Sequence, residues 1–221
     1  MRCLAILLLS ATLARAEEDV AGRFDYYLLS LSWAPSWCAA GEATGEASGE
    51  ASRSASRQSP HCAPGGGAGW VLHGLWPQYE RGWPSHCRST EADPSRRQIA
   101  RLARLTGSSR AAWHQWKKHG RCSGLSAGDY VAAAGRANAA VSRPLAFGRL
   151  TAPVRLPAGV VEEAFLQANP GLLPDMLTVT CKAGRIQEVR ICLTKELKPR
   201  LCAPDTVEDC NLRDALMPPP R

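Results

Sequence analysis

Cysteine usage restricts the fold of this chain more than any other feature. Of the nine cysteines, Cys3 lies in an N-terminal segment typical of an export signal. The even number that remains predicts four disulfides formed in an oxidising compartment. These cysteines are Cys38, Cys62, Cys87, Cys122, Cys181, Cys192, Cys202 and Cys210. Because eight cysteines allow about 105 pairings, their spacing alone leaves the connectivity open.

The N-terminal segment is predicted to be a secretory signal peptide covering residues 1–16. A positively charged start precedes the apolar run Cys3–Ala14, and Ala14-Arg15-Ala16 matches an A-x-A cleavage site. The apolar run is too short to span a bilayer, and no later run is longer. We therefore expect an exported protein, periplasmic or secreted, with no membrane span in the mature chain. An N-terminal anchor is the alternative.

The mature chain, residues 17–215, is expected to form one domain and a monomer. The formal charge of +7 falls to about +5 without the two arginines of the signal. A basic protein with seven tryptophans suits a polyanion with stackable bases, such as nucleic acid. By itself this composition is weak support, since many exported proteins are basic.

Hydrophobic periodicity predicts the elements of that domain. Strands are expected at Phe24–Trp33, Trp70–His73, Met176–Cys181 and Ile186–Leu193, and helices at Asp93–Leu105, Arg110–His119, Asp129–Asn138 and Ala158–Ala168. This order predicts an α+β fold: a single domain with a central antiparallel sheet and several helices, stapled by disulfides. The repeat of Gly-Glu-Ala-Ser/Thr units at 39–60 predicts a low-complexity surface loop. The tail after Cys210 is expected to be loose.

The stretch Ala112–Cys122, AWHQWKKHGRC, carries most of the candidate chemistry. On a helix, His114 shares a face with Lys118, and Gln115 shares the neighbouring row with His119. These four side chains can therefore line one edge, while the two tryptophans anchor the helix in the core. A second stretch, Trp70–Gln78, ends a strand and places His73 where it can face a cleft.

A metal site fits this pattern poorly. The two histidines are five residues apart rather than four, no glutamate follows His114, and the adjacent lysines repel a cation. A phosphate is the better ligand, because cations and imidazole donors attract an anion. Two histidines can also divide acid and base work near pH 6. RNA supplies its own 2′-hydroxyl nucleophile, so no metal or other cofactor is required. A basic solvated face with incidental histidines is the structural alternative.

The two stretches together resemble the active-site segments of the ribonuclease T2 family. The matching motifs are HGLWP within Leu72–Gln78 and W-H-x-W-x-K-H-G-x-C over Trp113–Cys122, and Phe24–Cys38 is similar to the family's first core strand. The resemblance implies an α+β fold and cleavage of single-stranded RNA through 2′,3′-cyclic phosphates, with broad base specificity. It implies that His119 is the general base and His73 the general acid.

The same resemblance assigns further roles. His114 would hold the phosphate, Lys118 would stabilise the pentacovalent state, and Trp76 would stack on a base or pack in the core. Gln78 would contact the substrate. The implied disulfides are Cys38–Cys62, Cys87–Cys122, Cys181–Cys210 and Cys192–Cys202. His61 and His86 lie outside both motifs, and we expect surface or structural roles for them.

One position departs from the family pattern. Gln115 stands where the family usually has glutamate. The amide keeps the size and hydrogen bonding of glutamate but loses its charge, which should lower the pKa of nearby histidines. The expected function is a metal-independent endoribonuclease. The alternatives are a catalytically impaired protein of the same fold that binds RNA or a partner, and a metal-dependent phosphodiesterase.

Overall fold

The computed structural model describes residues 19–42 and 59–220. The predicted signal peptide and residues 43–58 of the predicted loop lie outside this range. The described chain forms one six-stranded sheet in which β2, β1, β5, β6 and β3 are successive neighbours and β4 also pairs with β5. The strands are β1 (Tyr26–Trp33), β2 (Trp70–Gln78), β3 (Val154–Leu156), β4 (Leu177–Lys182), β5 (Arg185–Leu193) and β6 (Ala215–Met217).

Helices pack against this sheet. They are α1 (Ala34–Glu42), α2 (Arg96–Thr106), α3 (Ser109–Lys118), α4 (Ala127–Ala140), α5 (Leu145–Gly148) and α6 (Ala158–Ala168), with short 3₁₀ turns at Pro60–Cys62, Gly120–Ser123 and Pro174–Met176. A serine caps the start of both α2 and α3, and Gly107 ends α2 in the left-handed conformation, with φ 87°. The two helices therefore meet in a tight corner. The predicted α+β class with a disulfide-stapled sheet is confirmed.

The main core lies between the sheet and the helices. Leu29, Leu31 and Trp33 of β1 meet Trp116 of α3 and Tyr130 of α4, all fully buried. Four disulfides join Cys38–Cys62, Cys87–Cys122, Cys181–Cys210 and Cys192–Cys202, the pairs that the family resemblance implies. In the described part of the chain, no helix is long and apolar enough to cross a membrane.

Two predicted boundaries differ from the structure because of sheet-edge and tertiary effects. Strand β2 continues through Pro77 to Gln78, although it was expected to end at His73. Proline is tolerated because β2 is at the sheet edge, where one side of the strand makes no ladder bonds. The predicted loop at 39–60 also starts later, because α1 extends through Glu42.

The expectation of a loose tail after Cys210 is wrong. Strand β6 joins the sheet, antiparallel to β3 and parallel to β5 at one pair, so the sheet is not purely antiparallel. Ala215 and Met217 are fully buried, and the Trp33 indole donates to the Pro218 carbonyl at 2.9 Å. Burial of Ala215 and Met217 therefore orders the C-terminal segment, although its run of prolines suggests disorder.

Candidate active site

A β-bulge in β2 sets the direction of His73. Leu72 pairs with Leu31 of β1, and Gly74 pairs with Ser30, so His73 has no partner in the ladder. A bulge adds one residue and re-aims the side chains around it. Leu72 and Leu75 consequently both point into the core, three residues apart. His73 and Trp76 both line a cavity on the other face.

The C-terminal end of α3 provides the opposite wall. His114, Gln115 and Lys118 line the same cavity as His73, and His119 joins them as the residue that ends the helix. Trp116 anchors the helix, since its ring is fully buried and its indole donates to Asp93 at 2.9 Å. The four side chains that were predicted to line one edge of the helix therefore do line the same cavity.

A hydrogen bond between two predicted site residues connects the walls. The Trp76 indole N–H donates to Oε1 of Gln115 at 2.7 Å, and Gln115 is only 3% exposed. This bond crosses directly over Gly74, where an added Cβ would collide with both partners. Glycine is therefore required at position 74 for the close approach of α3 to β2.

His73 is held by a carboxylate that the sequence motifs do not include. Its Nδ1 lies 2.5 Å from Oε1 of Glu188 on β5, and Arg190 donates to the other carboxylate oxygen at 2.9 Å. The imidazole reaches β5 across β1, where Ser30 and Ser32 are the small intervening residues. Burial tends to raise the pKa of Glu188, but the charges and hydrogen bonds of His73 and Arg190 lower it to about 2. Glu188 is therefore a carboxylate at neutral pH.

His119 lies in a very different environment. It is 6% exposed, and its Nδ1 has no hydrogen-bond partner among the described residues. Burial and the nearby charge of Lys118 lower the pKa of His119 to about 2, so its imidazole is neutral. Its ring stacks on Trp76 with centroids 5.0 Å apart, while His73 meets the same indole edge-on, also at 5.0 Å.

Two cavities meet at this cluster. The first, which we call the Trp76 cavity, has a volume of about 290 Å³ and is lined by Trp76, Gln78, Lys118, His119 and Arg190. The second, the Arg110 cavity, has a volume of about 400 Å³ and is lined by Ser32, Trp37, Thr106 and Arg110. His73, His114 and Gln115 border both cavities. Burial and the charge of Lys118 lower the pKa of His114 as well.

The structure also locates residues that sequence reasoning gave no role in the site. Trp83 lines the Trp76 cavity and is 59% exposed, which is unusual for so large an apolar ring. The backbone N–H of His86 donates to the Lys118 carbonyl at 2.9 Å, next to the Cys87–Cys122 disulfide. His61 packs against Gly107, away from the site. The two sequence motifs gave no signal for Glu188, because this residue lies outside both of them, more than a hundred residues after His73.

The comparisons with known proteins agree with this geometry. The model of the ribonuclease T2 family matches residues 24–145. A curated relative from Aeromonas hydrophila, named "Ribonuclease", is 35% identical over 194 residues, which cover 85% of this chain and 78% of that protein. A curated Arabidopsis thaliana protein, "Ribonuclease 1", is 36% identical over a shorter stretch of 77 residues, 28% of this chain and 34% of its own.

Solved structures show the same fold. The S-like ribonuclease trichomaglin aligns with a TM-score of 0.63 at 20% identity, covering 89% of this chain and 98% of its own. An RNase-related protein from Calystegia sepium aligns with a TM-score of 0.60 at 22% identity, covering 89% and 97%. The family match and the Aeromonas relative carry the assignment beyond the fold. The chain belongs to the ribonuclease T2 family and is a ribonuclease.

Proposed function

We propose that this ribonuclease cleaves single-stranded RNA internally, by transphosphorylation through a 2′,3′-cyclic phosphate and without a metal ion. The observation that carries the proposal is the placement of two imidazoles of opposite character against one tryptophan. His119 is buried and neutral, whereas His73 is paired with a carboxylate. Pairs of titratable groups with contrasting environments are typical of acid–base catalysis.

In the first step, neutral His119 takes the proton of the 2′-hydroxyl, and the 2′-oxygen forms a bond to phosphorus. The bond from phosphorus to the 5′-oxygen breaks, and His73 protonates the departing oxygen through Nε2, since Nδ1 faces Glu188. Hydrolysis of the cyclic phosphate reverses the two roles. Glu188 acts as a positioning residue that fixes the tautomer and orientation of His73.

A pKa of about 2 would leave His119 a weak base, but the bound substrate changes its surroundings. The charge of Lys118 is one cause of the low pKa. A phosphodiester held by Lys118 and His114 partly neutralises that charge, which raises the pKa of His119 towards the range useful for catalysis. Lys118 then stabilises the negative charge that develops on phosphorus.

The base upstream of the cleaved bond is proposed to occupy the Trp76 cavity. Trp76 and the exposed Trp83 supply aromatic surfaces there, and base–aromatic stacking tolerates any base. The Gln78 amide nitrogen donates to the Pro77 carbonyl at 3.0 Å, so its amide orientation is fixed towards one partner. Broad base specificity follows from stacking on these ring surfaces, because every base has an aromatic face.

We also propose that the mature protein is the single domain 17–215, extended by β6, and that it is monomeric and exported. Four disulfides require an oxidising compartment, which agrees with export. Whether the destination is the periplasm or the medium is decided by fractionation of cells that produce the full chain.

One assay tests the reaction. Purified protein is incubated with single-stranded RNA and with DNA of the same sequence, near pH 6 in EDTA, and the products are examined by mass spectrometry. We expect internal cleavage of RNA only, with transient 2′,3′-cyclic ends. Cleavage that EDTA abolishes would overturn the metal-independent mechanism. Binding of RNA without cleavage would instead support the alternative of an impaired, RNA-binding member of the fold.

A further inference from the structure

Helix α2 carries a basic stripe that has no acidic partner among the described side chains and lies next to the candidate site. Its sequence RRQIARLARLT has four arginines and no acidic residue, and all four arginines are exposed. Arg97, Arg101 and Arg104 follow the i, i+4, i+7 spacing that aligns side chains along one helix face. Among residues 19–42 and 59–220, none of the three has a carboxylate within ion-pair distance.

Several other arginines of the described chain do have acidic partners. Arg121 pairs with Asp93, and Arg200 pairs with Glu80. Three neighbouring unpaired guanidinium groups repel one another, and a polyanion is the ligand that would relieve this repulsion. The stripe is therefore a candidate binding surface for a phosphate backbone.

A continuous path connects the stripe to the site. Arg110 lines the Arg110 cavity together with His114, and it also lines a groove of about 600 Å³ at the corner between α2 and α3. We call this the junction groove, and its walls include Ala100, Arg104, Gly107 and Ser108. An RNA strand that leaves the histidines through the Arg110 cavity therefore needs to pass only the Arg110 side chain, which lines both spaces, to reach Arg104.

The proposed reaction gives this path a direction, and the inference rests on that proposed function. His119, which takes the 2′-hydroxyl proton, borders the Trp76 cavity and is absent from the lining of the Arg110 cavity. The nucleotide that carries the attacking hydroxyl therefore occupies the Trp76 cavity. The leaving nucleotide, whose 5′-oxygen His73 protonates, occupies the Arg110 cavity, so the chain beyond it runs in the 3′ direction.

The charges on the two sides agree with this direction. The Trp76 cavity is lined by Asp205 and Glu208 as well as by Lys118 and Arg190, and Arg190 is already paired with Glu188 and Glu208. This side therefore offers fewer free cations to further phosphates than the α2 stripe does. We propose that the α2 arginines bind backbone phosphates of the RNA on the 3′ side of the cleaved bond, so that the enzyme prefers substrates extended in that direction.

The test uses DNA oligonucleotides with a single ribonucleotide, so that only one bond can be cleaved. One substrate carries six deoxynucleotides on the 3′ side, a second carries them on the 5′ side, and a third is a dinucleoside monophosphate. The variant Arg97→Gln/Arg101→Gln/Arg104→Gln is compared with the control Arg136→Gln/Arg149→Gln/Arg213→Gln. The control removes the same charge from exposed positions that line neither cavity nor the junction groove.

For wild type we expect a higher kcat/KM on the 3′-extended substrate than on the other two. The α2 variant should lose this advantage while it cleaves the dinucleotide as wild type does. Loss of three phosphate contacts should also reduce the slope of log KM against log salt by about 2, at about 0.7 per contact on a single strand. The control triple should keep the 3′ preference.

Equal losses on the 5′- and 3′-extended substrates, or in the control triple, would overturn the proposal in favour of a general charge effect. An unchanged 3′ preference in the α2 variant would overturn it as well. If wild type fails to cleave even the dinucleotide, the proposed reaction fails rather than the surface. Affinity for an all-deoxy oligonucleotide then decides the surface alone: a loss specific to the α2 variant supports it, and no loss excludes it.

Discussion

His119 and His73 contact the same indole but lie in opposite surroundings. His119 is buried, has no partner at Nδ1 within the described chain, and stacks flat on Trp76. His73 has 42% of its side chain exposed and bonds a buried carboxylate. The difference shows how one small site can keep one imidazole neutral and hold another beside a carboxylate. Four experiments test that contrast.

The largest effect is expected for His119→Gln. Removing the proposed base should lower kcat/KM on RNA by about 10³-fold, within the range for general acid–base groups. The acidic limb of the wild-type profile of kcat against pH, which reports the substrate complex, should also disappear. Cleavage rates are measured from pH 4 to 8, with circular dichroism to verify folding. A folded variant with activity within a few fold of wild type would exclude His119 as the base.

Substitution of Glu188 is expected to lower the rate less than substitution of His119, and its effect tests whether Glu188 positions His73. Glu188→Gln keeps an oxygen that can accept from Nδ1 of His73 but removes the charge. Replacing a charge-assisted hydrogen bond by a neutral one costs part of the about 1.5–3 kcal/mol that such a bond contributes, so kcat should fall by about 10-fold.

The matched control for Glu188 is Glu80→Gln, which neutralises an exposed carboxylate paired with Arg200. It should leave both rate and pH profile unchanged. Glu188→Ala should lose more activity than Glu188→Gln, and nitrogen NMR of His73 should show a changed tautomer. If both Glu188 variants lower stability but leave kcat and the His73 tautomer unchanged, Glu188 is structural only.

Gln115→Glu would make the surroundings of His119 more like those of His73, because each imidazole would then have a carboxylate nearby. Its carboxylate can still accept from the Trp76 indole, but it adds a negative charge beside His119. A nearby negative charge favours the protonated imidazole, so the pKa of His119 rises and the acidic limb of the pH–rate profile moves to higher pH, by about one unit. An unmoved limb in the profile of kcat against pH, which reports the substrate complex, would remove any electrostatic role for this position.

The smallest effect concerns stability. The folded-state pKa of His119, about 2, lies below that of an unfolded chain, about 6.5. Between these values the unfolded state binds the extra proton, so the free energy of unfolding falls as pH decreases, by at most about 1.4 kcal/mol per pH unit. His119→Gln should flatten the dependence between pH 6.5 and 5, above the carboxylate range. Urea denaturation at several pH values measures it, and identical slopes would contradict the prediction.

The sequence was informative wherever a local rule applied. The spacing in Ala112–Cys122 was sufficient to place His114, Gln115, Lys118 and His119 around one cavity, because helical geometry is regular. Strand β6 was missed, since burial of Met217 rather than local propensity orders it. Glu188 was missed because its contact with His73 crosses a neighbouring strand. Pairing across a sheet depends on register, which a single sequence with no strong turn between the strands leaves open.

The bulge implies that His73 is an extra residue in β2, which the pairing of β2 with β1 does not require. With His73 deleted, Leu72 and Gly74 would follow the register set by Leu31 and Ser30 without a break, and every core side chain of β2 would keep its face. We expect such a shortened chain to unfold at a temperature equal to or above that of His73→Ala, and to be inactive. A lower unfolding temperature would show that the bulge has become part of the scaffold.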